Sequence, residues 1–78
     1  MTLIVGGMRA YDGTCSDTML EATTGTVGDC EIACLNNLQC KSAVHLGTTC
    51  SLLSGPCHTV TDGDVGSIVL KLQGMLWG

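Results

Sequence analysis

The sequence predicts a small, disulfide-rich α+β domain with one α-helix packed on an antiparallel β-sheet. Three observations predict it. Six cysteines are spread over 78 residues, three of them crowded into "DCEIACLNNLQC" at residues 29–40. The stretch around those three is the one place where a helix start signal meets apolar residues at helical spacing. Short β-branched or alternating runs lie on either side of it, divided by Gly, Asp and Pro.

In chain order, "TLIV" (Thr2, Leu3, Ile4, Val5) is a β-branched apolar run stopped by Gly6-Gly7 and reads as a first strand. Residues 11–26, "YDGTCSDTMLEATTGT", are rich in Gly, Thr and Asp without a sustained period, and read as mostly loop. In "TVGDCEIACLNN", Thr26 and Asp29 have capping-box spacing, with Asp where Glu is usual. Asp29 and Glu31 also suit the positive end of a helix dipole. Val27, Cys30, Cys34 and Leu38 fall on one helical face, and Asn36-Asn37 offers a left-handed residue to end it. Next, "KSAVHL" and "CSLL" are short strands joined by "GTT" in a hairpin. "SGPCHTVTDGDVG" is turn chemistry throughout. "SIVLKLQ" alternates, with Ile68, Leu70 and Leu72 on one face and Val69, Lys71 and Gln73 on the other. The tail leaves Met75, Leu76 and Trp77 without an obvious core to fill.

Residues 1–78 make one domain, too short for a second core. Chains below about 70–80 residues seldom stabilise themselves by apolar burial alone. With no Phe, one Trp and one Tyr, the aromatic contribution to a core is nearly missing, and cross-links are its substitute. Only Arg9, Lys41 and Lys71 are basic, against seven acidic residues, for a net charge of −4. Without a Lys/Arg cluster, nucleic acid and anionic membrane surfaces are excluded as partners. "MTLIVGGM" is too short for a signal-peptide core and far below the roughly 20 residues that span a bilayer, so no membrane insertion is expected. Charged residues are 13% of the chain, about half the usual share, so part of the surface is expected to be covered by something else.

The cysteines decide the class. Cys30 and Cys34, one helical turn apart, project from the same face and each can reach a different partner on a sheet packed there. Spacing alone allows fifteen pairings among six cysteines. The pattern Cys30-x3-Cys34-Leu35, then Cys40-Lys41-Ser42, then Cys50-x-Leu52 resembles the PAN/apple domain signature, in which two disulfides clip a helix to a small antiparallel sheet. The resemblance covers residues 26–53, with the flanking strands matched in length and order. It implies that Cys30 pairs with Cys50 and Cys34 with Cys40, which leaves Cys15 and Cys57 to join each other. Where many family members carry two aromatic residues after the fourth cysteine, this chain has Ala43 and His45.

The same residues bear on other chemistries. Cys-x3-Cys, a third Cys, and His58 beside Cys57 are enough soft ligands for tetrahedral zinc, but no second paired knuckle follows. A cysteine nucleophile needs a base, and His45 in an alternating strand reads as a half-exposed sheet residue, His58 as a turn residue. "TDGD" lacks the alternating ligands of a calcium loop and reads as a turn; Asp12, Asp17, Asp62 and Asp64 have no spacing that demands convergence. No enzyme activity and no cofactor are expected.

PAN/apple domains mediate protein–protein or protein–carbohydrate contacts outside the cell, so the resemblance implies binding without catalysis in a secreted, extracellular setting. The expected function is a self-assembling subunit of a homo-oligomer or filament, with Thr2–Val5 and Met75–Trp77 as the assembly interface. An apolar edge strand is a template for a neighbour, and an extended terminus can complete another subunit's sheet. The alternative is an adhesion module for a glycan or partner protein, for which Tyr11 and Trp77 are the only aromatic residues.

Overall fold

The computed structural model describes residues 8–57 and 59–72. Five strands and one helix follow in the order β1 (Met8–Asp12), β2 (Met19–Thr24), α1 (Val27–Leu35), β3 (Ser42–Leu46), β4 (Thr49–Leu53) and β5 (Ile68–Leu72). The strands form one sheet, every pairing antiparallel, in the order β1-β5-β3-β4-β2. This is the α+β class expected, with the helix on one face of an antiparallel sheet.

Why the helix starts and stops where it does is visible in its ends. The Thr26 hydroxyl oxygen accepts from the Asp29 backbone N–H at 3.2 Å, and the Asp29 carboxylate accepts from the Thr26 N–H at 3.1 Å. Two otherwise orphaned N–H groups are satisfied by one pair of short side chains. At the other end the expectation needs correcting: Leu38 is not on the helix, which stops at Leu35, and Asn36 caps it in ordinary right-handed geometry (φ −84°). The reason is the bridge from Cys34 to Cys40, whose Cα atoms are 5.2 Å apart. A helix continued over those six residues would separate them by about 9 Å along its axis. The chain turns instead, with the Asn37 side chain accepting from the Gln39 N–H and the Asn37 carbonyl from the Cys40 N–H. Leu38 is left 94% exposed.

Two of the helix residues are fully buried, Cys30 and Cys34, and both are covalently fixed to the sheet side. Cys30 joins Cys50 in β4, and Cys34 joins Cys40 just before β3. Around these bridges pack Ala43, Leu52 and Leu70, with Met8, Leu20, Val27, Ala33 and Ile68 at the margin. The opposite sheet face holds a second, smaller core of Leu53, Val69 and Cys57, flanked by Cys15, Val44 and Val60. Two segments flank it, residues 13–18 and, among the described residues, 54–57 with 59–61. They are tied together by the Cys15–Cys57 bridge and by paired backbone hydrogen bonds between Thr14 and Thr61.

The reading of residues 11–26 as mostly loop is also corrected. They contain the end of β1 and all of β2. β2 is a sheet edge with only Leu20 partly buried, so no alternation marks it. Its conformation comes from pairing with β4. The register slips between Met19 and Glu21, leaving Leu20 as the bulged residue turned toward the helix-side core. The expected hairpin is present: Leu46 pairs with Thr49 across Gly47-Thr48, and Gly47 has φ +67°, as the first central position of a type II′ turn requires. In β5, Ile68 and Leu70 face the helix and Val69 the second core, while Leu72, on the face of Ile68 and Leu70, is 42% exposed. The expected strand Thr2–Val5 lies outside the described residues.

Two stability predictions follow from these restraints. Thr26→Ala breaks the capping box and is expected to cost about 1 kcal/mol, lowering the melting temperature by roughly 4–8 °C in a domain of this size. A circular-dichroism melt reads it. Cys30→Ala with Cys50→Ala opens a loop of sequence separation 20 and is expected to cost roughly 3 kcal/mol, measured by urea unfolding. An unchanged midpoint would show that helix–sheet packing needs no tether.

Candidate functional site

All six cysteines are in disulfides: Cys15–Cys57, Cys30–Cys50 and Cys34–Cys40. The second and third are the pairs that the resemblance implies, and the first joins the two cysteines it leaves over. Their sulfurs are bonded to one another, so none is a thiolate nucleophile or metal donor in this form. On the helix side the bridges are enclosed by protein. The third is the most accessible, with Cys15 half-buried at the wall of a cavity of about 340 Å³ lined also by Ser16, Asp17, Thr59 and Thr61.

The third bridge is held by local polar contacts. Cys57 has φ +52°, the only non-glycine residue with positive φ among those described. Its N–H donates to the Asp17 carboxylate at 3.0 Å, across 40 residues of chain. Behind it the buried Ser42 hydroxyl donates to the Gly55 carbonyl at 2.6 Å and lies 3.0 Å from the Cys57 sulfur. Asp17 therefore positions backbone; Cys15 and Cys57 lie beside it in a group that would resemble a metal site were the sulfurs reduced. The arrangement is a clasp over the second core.

Neither Ala43 nor His45 can contribute to a surface platform. Ala43 is fully buried, flanked in the sheet by Leu52 and Leu70. His45, expected half-exposed, is buried to 6% exposure. Its Nε2 lies 2.8 Å from the Gly25 carbonyl oxygen, which can only accept, so Nε2 carries the proton and donates. The bond ties β3 to the turn that leads into the helix, which explains a polar residue in the core. His58 is outside the described residues.

Of Asp12, Asp17, Asp62 and Asp64, three come together. Asp12, Asp62 and Asp64 line one shallow concavity with Gly13 and Ser67, while Asp17 stays at the third bridge. Of "TDGD", Thr61 pairs with Thr14 and Asp64 opens the turn 64–67, closed by the Ser67 N–H on the Asp64 carbonyl. Here Gly13 is indispensable: its φ is +136°, and a Cβ there would run into the Thr61 carbonyl.

Two surface features escaped the sequence. One is apolar: Ile32 (59% exposed) and Leu35 on the outer side of the helix, followed by Leu38. A helix apolar on both sides leaves one side to be covered, and that pattern was present in "CEIACL". The other is basic: the β1–β5 register sets Arg9 directly opposite Lys71, with the Lys71 ammonium 5.3 Å from the centre of the Tyr11 ring. Nothing short of the register reveals it, because β1 has no pattern of its own. The interface residues Thr2, Leu3, Ile4, Val5, Met75, Leu76 and Trp77 lie outside the described residues. Among the described residues no helix is long and apolar enough to cross a membrane. No protein-family model, curated protein or solved structure matches the chain, which leaves its own geometry to bear on its function.

Proposed function

We propose that this protein is a non-enzymatic, PAN/apple-like structural subunit that self-associates outside the cell into an oligomer or filament. The observation that carries the reading is the uncovered apolar row Ile32, Leu35 and Leu38 beside the helix, on a chain with few charges. Contiguous apolar surface on a small protein marks an interaction site. Supporting it, β1 and β2 are the two edges of the described sheet, at opposite sides, and β2 carries a single charge, Glu21. Open edges accept further strands, and Thr2–Val5 and Met75–Trp77 are the apolar segments of this chain suited to reach a neighbour. Three bridges in so small a domain need an oxidising compartment, which supports secretion.

The adhesion reading rests on Tyr11, the one aromatic side chain among the described residues. Lys71 already sits over its ring, so a sugar would compete with an ammonium for that face. Burial of the family's aromatic places at Ala43 and His45 weighs the same way.

Sedimentation velocity on the full chain is expected to give a concentration-dependent mass at multiples of 8.0 kDa. Ile32→Asp with Leu35→Asp, or removal of residues 1–5 or 75–78, is expected to lower it. A wild-type monomer throughout the micromolar range, retained instead on a glycan surface, would replace self-assembly with adhesion.

A further inference from the structure

We infer that the Arg9–Tyr11–Lys71 patch of one copy docks on the acidic Asp62–Val65 loop of the next, giving the assembly a polar, head-to-tail contact. The inference rests on the self-association proposed above and names one of its interfaces.

The patch is unusual for this chain. Two of its three basic residues stand directly opposite each other in the β1–β5 ladder, where like charges repel. The registers carry the same sheet face through β1, β5 and β3 as Arg9, Tyr11, Val69, Lys71, Ser42, Val44 and Leu46. None of these positions is acidic; Asp62 and Asp64 border the far end of the same face, beside Val44 and Leu46, and the Glu31 carboxylate accepts from the Met8 N–H next to Arg9. No acidic residue pairs with Arg9 or Lys71 in the described ladder. Tyr11 is 39% exposed beside them. A cationic, partly apolar surface with no acidic partner in its ladder fits an acidic knob that also brings an apolar side chain.

The chain itself carries such a knob. Asp62, Gly63, Asp64 and Val65 form the loop ahead of β5, with Val65 fully exposed at 101% and both carboxylates exposed beside it. With Asp12 they line the concavity at the far end of β1 from Arg9. Arg9 and Asp12 are three residues apart, about 10 Å along the strand. Each copy is thus positive at one end of the β1–β5 ribbon and negative at the other. Unlike ends attract and like ends repel; made head to tail, the contact is heterologous and builds rings or open fibres. Such a contact also accounts for an exposed apolar valine directly after two aspartates, where solvent alone offers it nothing.

The test is a charge swap on the full chain. Arg9→Glu with Lys71→Glu, and separately Asp62→Lys with Asp64→Lys, are each expected to weaken association at least about tenfold. Mixed one to one, the two variants are expected to recover wild-type assembly, since each now offers the charge that the other lacks. Zero-length carbodiimide coupling in a mixture of isotopically light and heavy wild-type protein is expected to join Lys71 of one copy to Asp62 or Asp64 of another. Assembly unaffected by either double variant, with no such cross-link, overturns this contact while leaving self-association intact. Retention on immobilised heparin that is lost in Arg9→Glu/Lys71→Glu, with assembly unchanged, also overturns it and gives the patch to an acidic polysaccharide. A wild-type chain that never associates removes both readings.

Discussion

The attachment of one helical turn to the sheet by Cys30–Cys50 and Cys34–Cys40 is the constraint on which the rest depends. A core without Phe, and with its largest fully buried side chains no bigger than leucine, has little dispersion energy to hold a nine-residue helix in place. Isolated helices of that length are marginal in water. Covalent attachment supplies what packing does not, and it dictates details as well. It ends the helix at Leu35, and both bridges pack with the fully buried Ala43 of β3. The capping box then sets the other end, and the His45 hydrogen bond to Gly25 locks the entry turn to β3.

What could be read in the residues was whatever carried its own local signal. The Thr26–Asp29 spacing named the helix start because two side chains satisfy two backbone groups without help from elsewhere. Gly47 named the hairpin, and the alternation of Leu70, Lys71, Leu72 and Gln73 after the apolar run Ile68–Leu70 named β5. Asn36-Asn37 marks the helix end, but Leu38 shares a helical face only by spacing: a bond to Cys40, four positions beyond the C-cap, turns the chain away before it. β2 was missed because an exposed edge strand has no buried face to impose a period. Its conformation is borrowed from β4.

The candidate site divides the same way. The six cysteines could be found by type, and the resemblance supplied a pairing that the structure shares. The Arg9–Lys71 juxtaposition had no signature, since 62 positions separate the two residues and only strand register unites them. His45 was misjudged for a related reason: alternation predicts a face for a residue, but whether that face is buried depends on what lies across it. Here it is the turn at Gly25.

The three bridges are concentric, with Cys34–Cys40 inside Cys30–Cys50 and both inside Cys15–Cys57. Any backbone cut between residues 16 and 56 therefore leaves its two fragments covalently joined, so proteolytic nicking of the interior need not release a piece. β1 and β5 lie outside the outermost ring. Their ribbon is kept in register by ladder hydrogen bonds and burial, and beyond β5 the start of β1 is tied to the helix by the Glu31 carboxylate, which accepts from the Met8 N–H at 2.8 Å. Order in the molecule is thus graded: permanent at the centre, reversible at the one edge that bears the opposed cations. A neighbour bound at that edge would stiffen the part of the domain that its own chemistry leaves loosest, so each docking step would prepare a firmer surface for the copy that it holds.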